Sequence, residues 1–550
     1  MITKAAGTPA GFMLSADSMN RRAVLKLMLG GAGALVLTAC GGSSSPAPSK
    51  PSSASAAPSS RASSPKSSGQ PASGGVFRAG IQSDLPNLDP FFNSPSVYDT
   101  LWLAFDRLIA LDSKRQPQPV LAESWEVSSD DKQATFHLRK GVRFSTGREL
   151  TSDDVKWNLL HVRDPKVGGG GWVTFSKWWT SIETPDKYTV VLKSDQPRPL
   201  LFDNLETFNI ADRVTAEGPN AKTQVVGTGP FVLKEWVQGD HITLVKNKDY
   251  WQSGQPLLNE MRFQIFHDAP AMVSQFEAGA VNMVLNPPLR DLSRLKSDPK
   301  YQAITNPYTG RYFIAGWNAQ NKPLDNKIVR QALNYAMDRK RFANSILLGL
   351  SKPIALPWGV SSPAYDPTKA NYYAFDLDKA KALLKQANVE GFELEYLYSP
   401  IYPELGDLGQ IYQADLAQIG VKLTLKLVDP ATFFDAINHR KYPGMYVITS
   451  ARANLAPGIT ILSTQGYNPA SNNEGFQNAK YTQLANEMAT VADPKKQQQI
   501  HAQMNDLLID EAFCLAIASA SPRMLVDKNV RGIGYTMHEG FTWTKVSTAS

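Results

Sequence analysis

The chain has 550 residues, 42% of them hydrophobic and 19% charged, with a formal net charge of +7 and only 2 cysteines. Its length exceeds a single hydrophobic core, and two cysteines exclude a disulfide-built scaffold. Residues 1–75 carry seven Lys/Arg and one Asp, +6 of the +7, so the rest is nearly neutral and offers no basic surface for nucleic acid.

The front end reads "NRRAVLKLMLGGAGALVLTAC". Arg21, Arg22 and Lys26 form a basic cluster, and Leu27 to Ala39 is apolar or small. That run is shorter than the ~20 apolar residues a membrane-spanning helix needs, and Gly30, Gly31 and Gly33 make a buried helix unfavourable. Basic cluster, short apolar run and small residues, in that order, are the pattern of an export signal over residues 1–39. "NRRAVLK" resembles the twin-arginine export motif, with Val24 where Phe is usual, so both export routes stay open. Leu37-Thr38-Ala39-Cys40 resembles a bacterial lipobox, which implies a diacylated Cys40 as lipid anchor. Two or three acyl chains hold firmly where one would be marginal. Residues 41–75 contain 14 Ser, 6 Pro, 6 Ala and 5 Gly, with no aromatic side chain. Such a stretch cannot bury enough surface to offset its ordering entropy, so residues 40–75 are expected to form a disordered, lipid-anchored tether.

From residue 76 the pattern is mixed α/β. "QATFHLRKGVRF" alternates as a half-buried strand does, and "TSDDVKWNLLHV" opens with Thr151 and Asp154 in capping-box spacing. "KYTVVLKS" and "HITLVKN" read as strands. "VGGGGW", Val167 to Trp172, reads as a flexible loop. "DNKIVRQALNYAMDRKRFANSILLG" predicts one long helix, capped by Asp325, with Ile328, Ala332 and Ala336 on its apolar face and Gly349 as its stop. Helices follow at "DLDKAKALLKQA" and "GDLGQIYQADLAQIG", then the alternating strand "VKLTLKLVD". Two more helices, "AKYTQLANEMATVA" and "DPKKQQQIHAQMNDLLIDE", precede the strand-like "AFCLAIASA", which places Cys514 in an apolar interior.

Catalytic signatures do not assemble. The seven histidines are dispersed, without zinc-type spacing, and no Gly-x-Ser-x-Gly elbow occurs. Gly227-Thr228-Gly229-Pro230 has turn chemistry and, lacking a following Lys-Ser/Thr, is not a phosphate loop. No enzyme activity, cofactor or metal is expected.

Three stretches carry a family resemblance: "PQPVLAESWEVSSDDKQATFHLRKGVRFSTGRELTSDDVKWNL", "VGTGPFVLKEWVQGDHITLVKNKDYW" and "NKPLDNKIVRQALNYAMDRKRFANSILLGLSKP". They resemble, in order, hallmarks of the solute-binding proteins (family 5) that serve oligopeptide, dipeptide and nickel ABC importers. The resemblance implies a two-lobed periplasmic-binding-protein-like α/β fold with a hinge and a discontinuous first lobe. Residues 76–314 with 520–550 would form lobe 1, and 315–519 lobe 2. It also implies a monomer that captures a peptide-like or other small solute and delivers it to a permease and ATPase complex, tethered outside the membrane. A ligand sensor or docking protein of the same fold is the alternative reading, and a secreted hydrolase a more distant one. Neighbouring permease genes would favour import.

For the site, the resemblance implies Phe92 and Asn93 after "NLDP", Tyr308 and Arg311 beside the hinge, and Trp358 in a Pro/Gly-rich loop. Peptide-binding relatives hold the ligand's ammonium with an Asp in a "GWxxDYPDP"-like segment. The corresponding "VITSARANLAPGITIL" puts Asn454 at that Asp position, or Ala453 with a one-residue shift, beside Arg452. Either alignment removes the carboxylate. A buried ammonium without a counter-charge costs several kcal/mol, so the ligand is expected to be neutral or anionic at that end.

Overall fold

In the computed structural model the described residues are 74–91, 95–164, 167, 171–219, 223–308, 311–451, 456–537 and 540–548. Cys40, the tether up to residue 73, Phe92, Asn93, Arg452 and Asn454 lie outside them.

Apolar alternation builds two main sheets. In the first, Val76–Ile81 runs parallel to Glu260–Ile265, with Phe77 opposite Met261, and parallel to Met283–Leu285. His241–Lys246 and Phe231–Val237 extend one edge, and Arg523–Asp527 with Tyr301–Thr305 complete the other. A separate antiparallel sheet of Ala122–Val127, Gln133–Leu138, Thr189–Lys193 and Ser181–Asp186 shares its core, where Phe77, Phe136, Trp179 and Phe263 are at most 2% exposed. The second main sheet orders Lys422–Leu427, Glu393–Tyr398, Met445–Ala451, Arg311–Trp317 and Cys514–Ser519. Its own core holds Tyr312, Trp317, Tyr396, Tyr446 and the free, fully buried Cys514. Two sheets with two cores make two lobes.

The chain crosses between the main sheets twice, from Thr305 to Arg311 and from Ser519 to Arg523. The two crossings bind each other: Ala520 N–H donates to Arg311 O at 2.8 Å, and Asn306 N–H to Pro522 O at 2.8 Å. The expected boundary at residue 314 falls inside Arg311–Trp317. That strand pairs with Met445–Ala451 along its whole length, so it belongs entire to the second sheet.

Local signals set most helices. Thr151 and Asp154 form the expected capping box on Ser152–His161, with Thr151 N–H to Asp154 Oδ2 at 3.0 Å. The long helix breaks, however. Lys327–Tyr335 is capped by Asn326, one residue later than expected, and Asp338 caps a new turn at Arg339–Arg341. The cause is Arg339, 2% exposed, whose guanidinium takes Asn334 O at 2.9 Å and Asn334 Oδ1 at 2.7 Å. Its apolar face is Val329, Ala332, Leu333 and Ala336, with Ile328 only half-buried. Trp172 is also corrected: it lies in the helix Gly171–Ser176 and is 4% exposed in the first core. Among the described residues no helix is long and apolar enough to cross a membrane.

Candidate functional site

The lobes touch at one flank through short helices. Gly171–Ser176 of the first lies against Pro457–Ser463 of the second, and Ala456 and Ile459 are buried in the first lobe's core. Leu462 packs on both cores. Gly458 permits this approach, since a Cβ there would meet Leu200 Cδ1 at 2.9 Å. At another point, second-lobe Glu404 stands 3.8 Å from Arg523 of the first lobe. Contacts of this kind form and break when lobes move about paired connecting strands.

Tyr308 and Arg311 sit on the first crossing. Tyr308 is half-buried, its N–H donating to Asn306 Oδ1 at 2.8 Å. Arg311 is in register with Ala451, the last residue of the strand Met445–Ala451. Trp358 goes elsewhere. It is 2% exposed in the second core, and its indole donates to Asn505 Oδ1 at 2.5 Å, so it presents almost no surface to a ligand.

A cavity of about 440 Å³ opens in the first lobe at the "NLDPF" loop. Its lining includes Asn87–Phe91, Phe105, His161, Ala211–Asp212 and Gln224–Val226. Its volume is within the usual range for small-molecule sites. Asp89 Oδ1 accepts the Phe91 N–H at 2.8 Å, turning the loop so that both residues face the cavity. Burial raises the Asp89 carboxyl above the ordinary range, against the opposing pull of that N–H and of His161. Burial also lowers His161, so its ring is held toward the neutral form. That ring stacks on Trp157 at 4.3 Å and meets Phe91 edge-on at 5.7 Å. Phe91 in turn meets Trp172, at 6.3 Å, on the helix that touches the second lobe. Asp212 is already engaged: Arg148 Nε donates to it at 2.8 Å, as does Thr215 N–H at 3.2 Å.

Sequence reasoning singled out the two residues following "NLDPF" and passed over Asp89 and His161. The Asp lay in the quoted motif. Nothing local marked His161, which reaches the loop only because its helix packs there. Among the described residues no cluster of three His, Cys, Asp or Glu could hold a metal ion.

The "GTGP" segment is a structural clasp. Thr228 donates to Asp106 at 3.2 Å and Gly229 N–H to Ala104 O at 3.0 Å. Asp106 also accepts from Trp251 at 2.8 Å and Tyr250 at 3.3 Å, and burial lifts its carboxyl to about 6.

Comparison with known proteins fits this architecture. The chain is 27% identical over 459 residues to the heme-binding protein A of Haemophilus influenzae, covering 76% of this chain and 81% of that protein. It is 26% identical over 480 residues to the dipeptide-binding protein of Escherichia coli, covering 80% and 88%. The solved structure of the periplasmic binding protein AgaA from A. tumefaciens R10, in complex with agropinic acid, superposes with a TM-score of 0.76 at 28% identity, covering 86% and 99%. These relatives are solute-binding proteins rather than enzymes. Residues 116–473 match the profile described as "Bacterial extracellular solute-binding proteins, family 5 Middle", and the chain belongs to that family.

Proposed function

We propose that this chain is the lipid-anchored receptor of an ABC importer, capturing a peptide-like or other small solute between its lobes and delivering it to a membrane permease. The observation that carries the reading is the pair of hydrogen-bonded crossings between two lobes, each with a core of its own and touching at one flank, a geometry suited to closure about a hinge. A solute that touches both lobes shifts the equilibrium because only the closed form makes both sets of contacts. Micromolar affinity, about −8 kcal/mol, captures the solute and still releases it. Lobe 1 would comprise residues up to the first crossing plus the segment returning at Arg523.

In the sequence, Asn454, or Ala453 with a one-residue shift, stands beside Arg452 where peptide-binding relatives have their Asp, so the solute end held there would be neutral or anionic. Asn offers hydrogen bonds without neutralising an ammonium, and Arg pairs bidentately with a carboxylate. That a 28% identical relative holds an acid supports this chemistry.

The test is solution scattering of the purified protein before and after adding back whatever solute co-purifies with it, identified by mass spectrometry. The radius of gyration should fall, and Arg452→Ala should weaken binding of an acidic solute. Tight binding with unchanged lobe separation would overturn the closure mechanism. The anchor is checked separately: Cys40→Ser should abolish fatty-acid labelling in cells and release the protein from membranes, and persistent labelling would refute it.

A further inference from the structure

The first-lobe cavity contains a carboxyl group that no described Lys or Arg pairs with. Asp89 lines it, partly buried, and among the described residues no Lys or Arg forms an ion pair with it. The nearby Asp212 differs, because Arg148 bridges it to Asp154. Around Asp89 stand the rings of Phe91, Phe105 and His161, with His161 fixed by its stack on Trp157. Trp157 is itself anchored, its indole donating to Glu217 at 2.6 Å. A carboxylate with no Lys or Arg partner among the described residues, sharing a cavity of this size with aromatic rings, suits a positively charged group on an apolar stem. The ion pair supplies the counter-charge, and the ring faces attract the same cation.

We propose that this cavity is a subsite for a protonated amine borne on an apolar stem, with Asp89 as its counter-charge and Phe91, Phe105 and His161 as its walls. The inference rests on the solute-receptor reading and deepens it by naming a protonated amine as the group the first lobe takes. The amine also reports on closure, because Phe91 touches Trp172 on the helix that meets Pro457–Ser463.

Two variants separate charge from fold. Asp89→Asn retains an Oδ1 acceptor for the Phe91 N–H, so the turn survives while the charge goes. Ala216→Phe, on the cavity lining, fills space and keeps the Asp89 carboxyl. The probes are phenethylamine, N-acetylphenethylamine and 3-phenylpropionate, titrated by calorimetry at pH 7 into the full chain. Phenethylamine should bind at concentrations up to about 10 mM and alter tryptophan emission, while the other two bind at least about tenfold more weakly, or 1.4 kcal/mol. Each variant should lose a similar factor for the amine, with its melting temperature close to wild type. The proposal is overturned by absence of amine binding, by equal affinity for the acetylated probe, or by unchanged amine affinity in both variants. If the co-purified solute still closes the lobes in both variants, the receptor reading stands and the amine subsite alone fails.

Discussion

Gly229→Ala should cost about 3 kcal/mol of stability, the upper range for forcing an atom into a packed interior. A Cβ at Gly229 would overlap the Phe105 backbone nitrogen and lie 2.5 Å from Ala104 C and 2.7 Å from Leu103 O. These are backbone atoms of the buried turn Leu101–Ala104, so no side chain can swing aside. The same residue is held from both sides, its N–H on Ala104 O and its carbonyl accepting from Asn247 Nδ2 at 2.9 Å. Gly534→Ala is the control, since its Cβ would meet only Thr542 Oγ1, at 3.6 Å. Differential scanning calorimetry should show a drop of several degrees for the first and almost none for the second. Equal melting temperatures would mean that the clasp yields, and that packing there is looser than the distances require.

Glu474→Gln should stabilise the protein increasingly as pH rises from 5 to 8. Glu474 is fully buried in the second core, where Tyr446 donates to its Oε1 at 2.6 Å and Oε2 has no hydrogen-bond partner. Desolvation lifts the carboxyl from its ordinary 4.5 to about 8. The hydrogen bonds from Tyr446 and Cys514 and the charge of Arg440 pull the other way without cancelling it, and Cys514, Tyr446, Tyr467 and Tyr442 are themselves pushed upward by burial and stay protonated. The folded state therefore keeps a proton that the unfolded chain releases above pH 4.5. Stability from this group is intact below the unfolded value and is lost as pH rises toward 8, at up to about 1.4 kcal/mol per pH unit. Glutamine has no proton to lose, so the gap between variant and wild-type melting temperatures should widen across that window and level off above it. A gap that stays constant with pH would show that Glu474 is already ionised or reached by water.

Both predictions concern residues that look ordinary in the sequence. Gly229 belongs to a motif whose turn chemistry was legible, but the reason for its glycines is the backbone of residues 103–105, more than a hundred positions earlier. Glu474 sits in a polar stretch, "NNEGF", that reads as a surface loop. Only packing against Tyr446 and Cys514 makes it an interior acid.

The sequence by itself determined the features that depend on order and neighbours along the chain. These are the basic, apolar and small-residue succession ending in Cys40, the Ser/Pro composition after it, and the capping box of Thr151 and Asp154. It also carried the hallmark stretches that identify the family, because a scaffold repeats its local turns and helix faces wherever it occurs. Tertiary structure decided the rest. It broke the long helix at Asp338 because Arg339 found buried acceptors, drew Trp358 into the core through Asn505, and moved the crossing ahead of Arg311 by pairing that whole strand. It alone placed His161 over the "NLDPF" loop and Asp89 on a cavity where no described Lys or Arg pairs with it. Burial and charge pairing are properties of distant segments meeting, and spacing along the chain does not encode which segments meet.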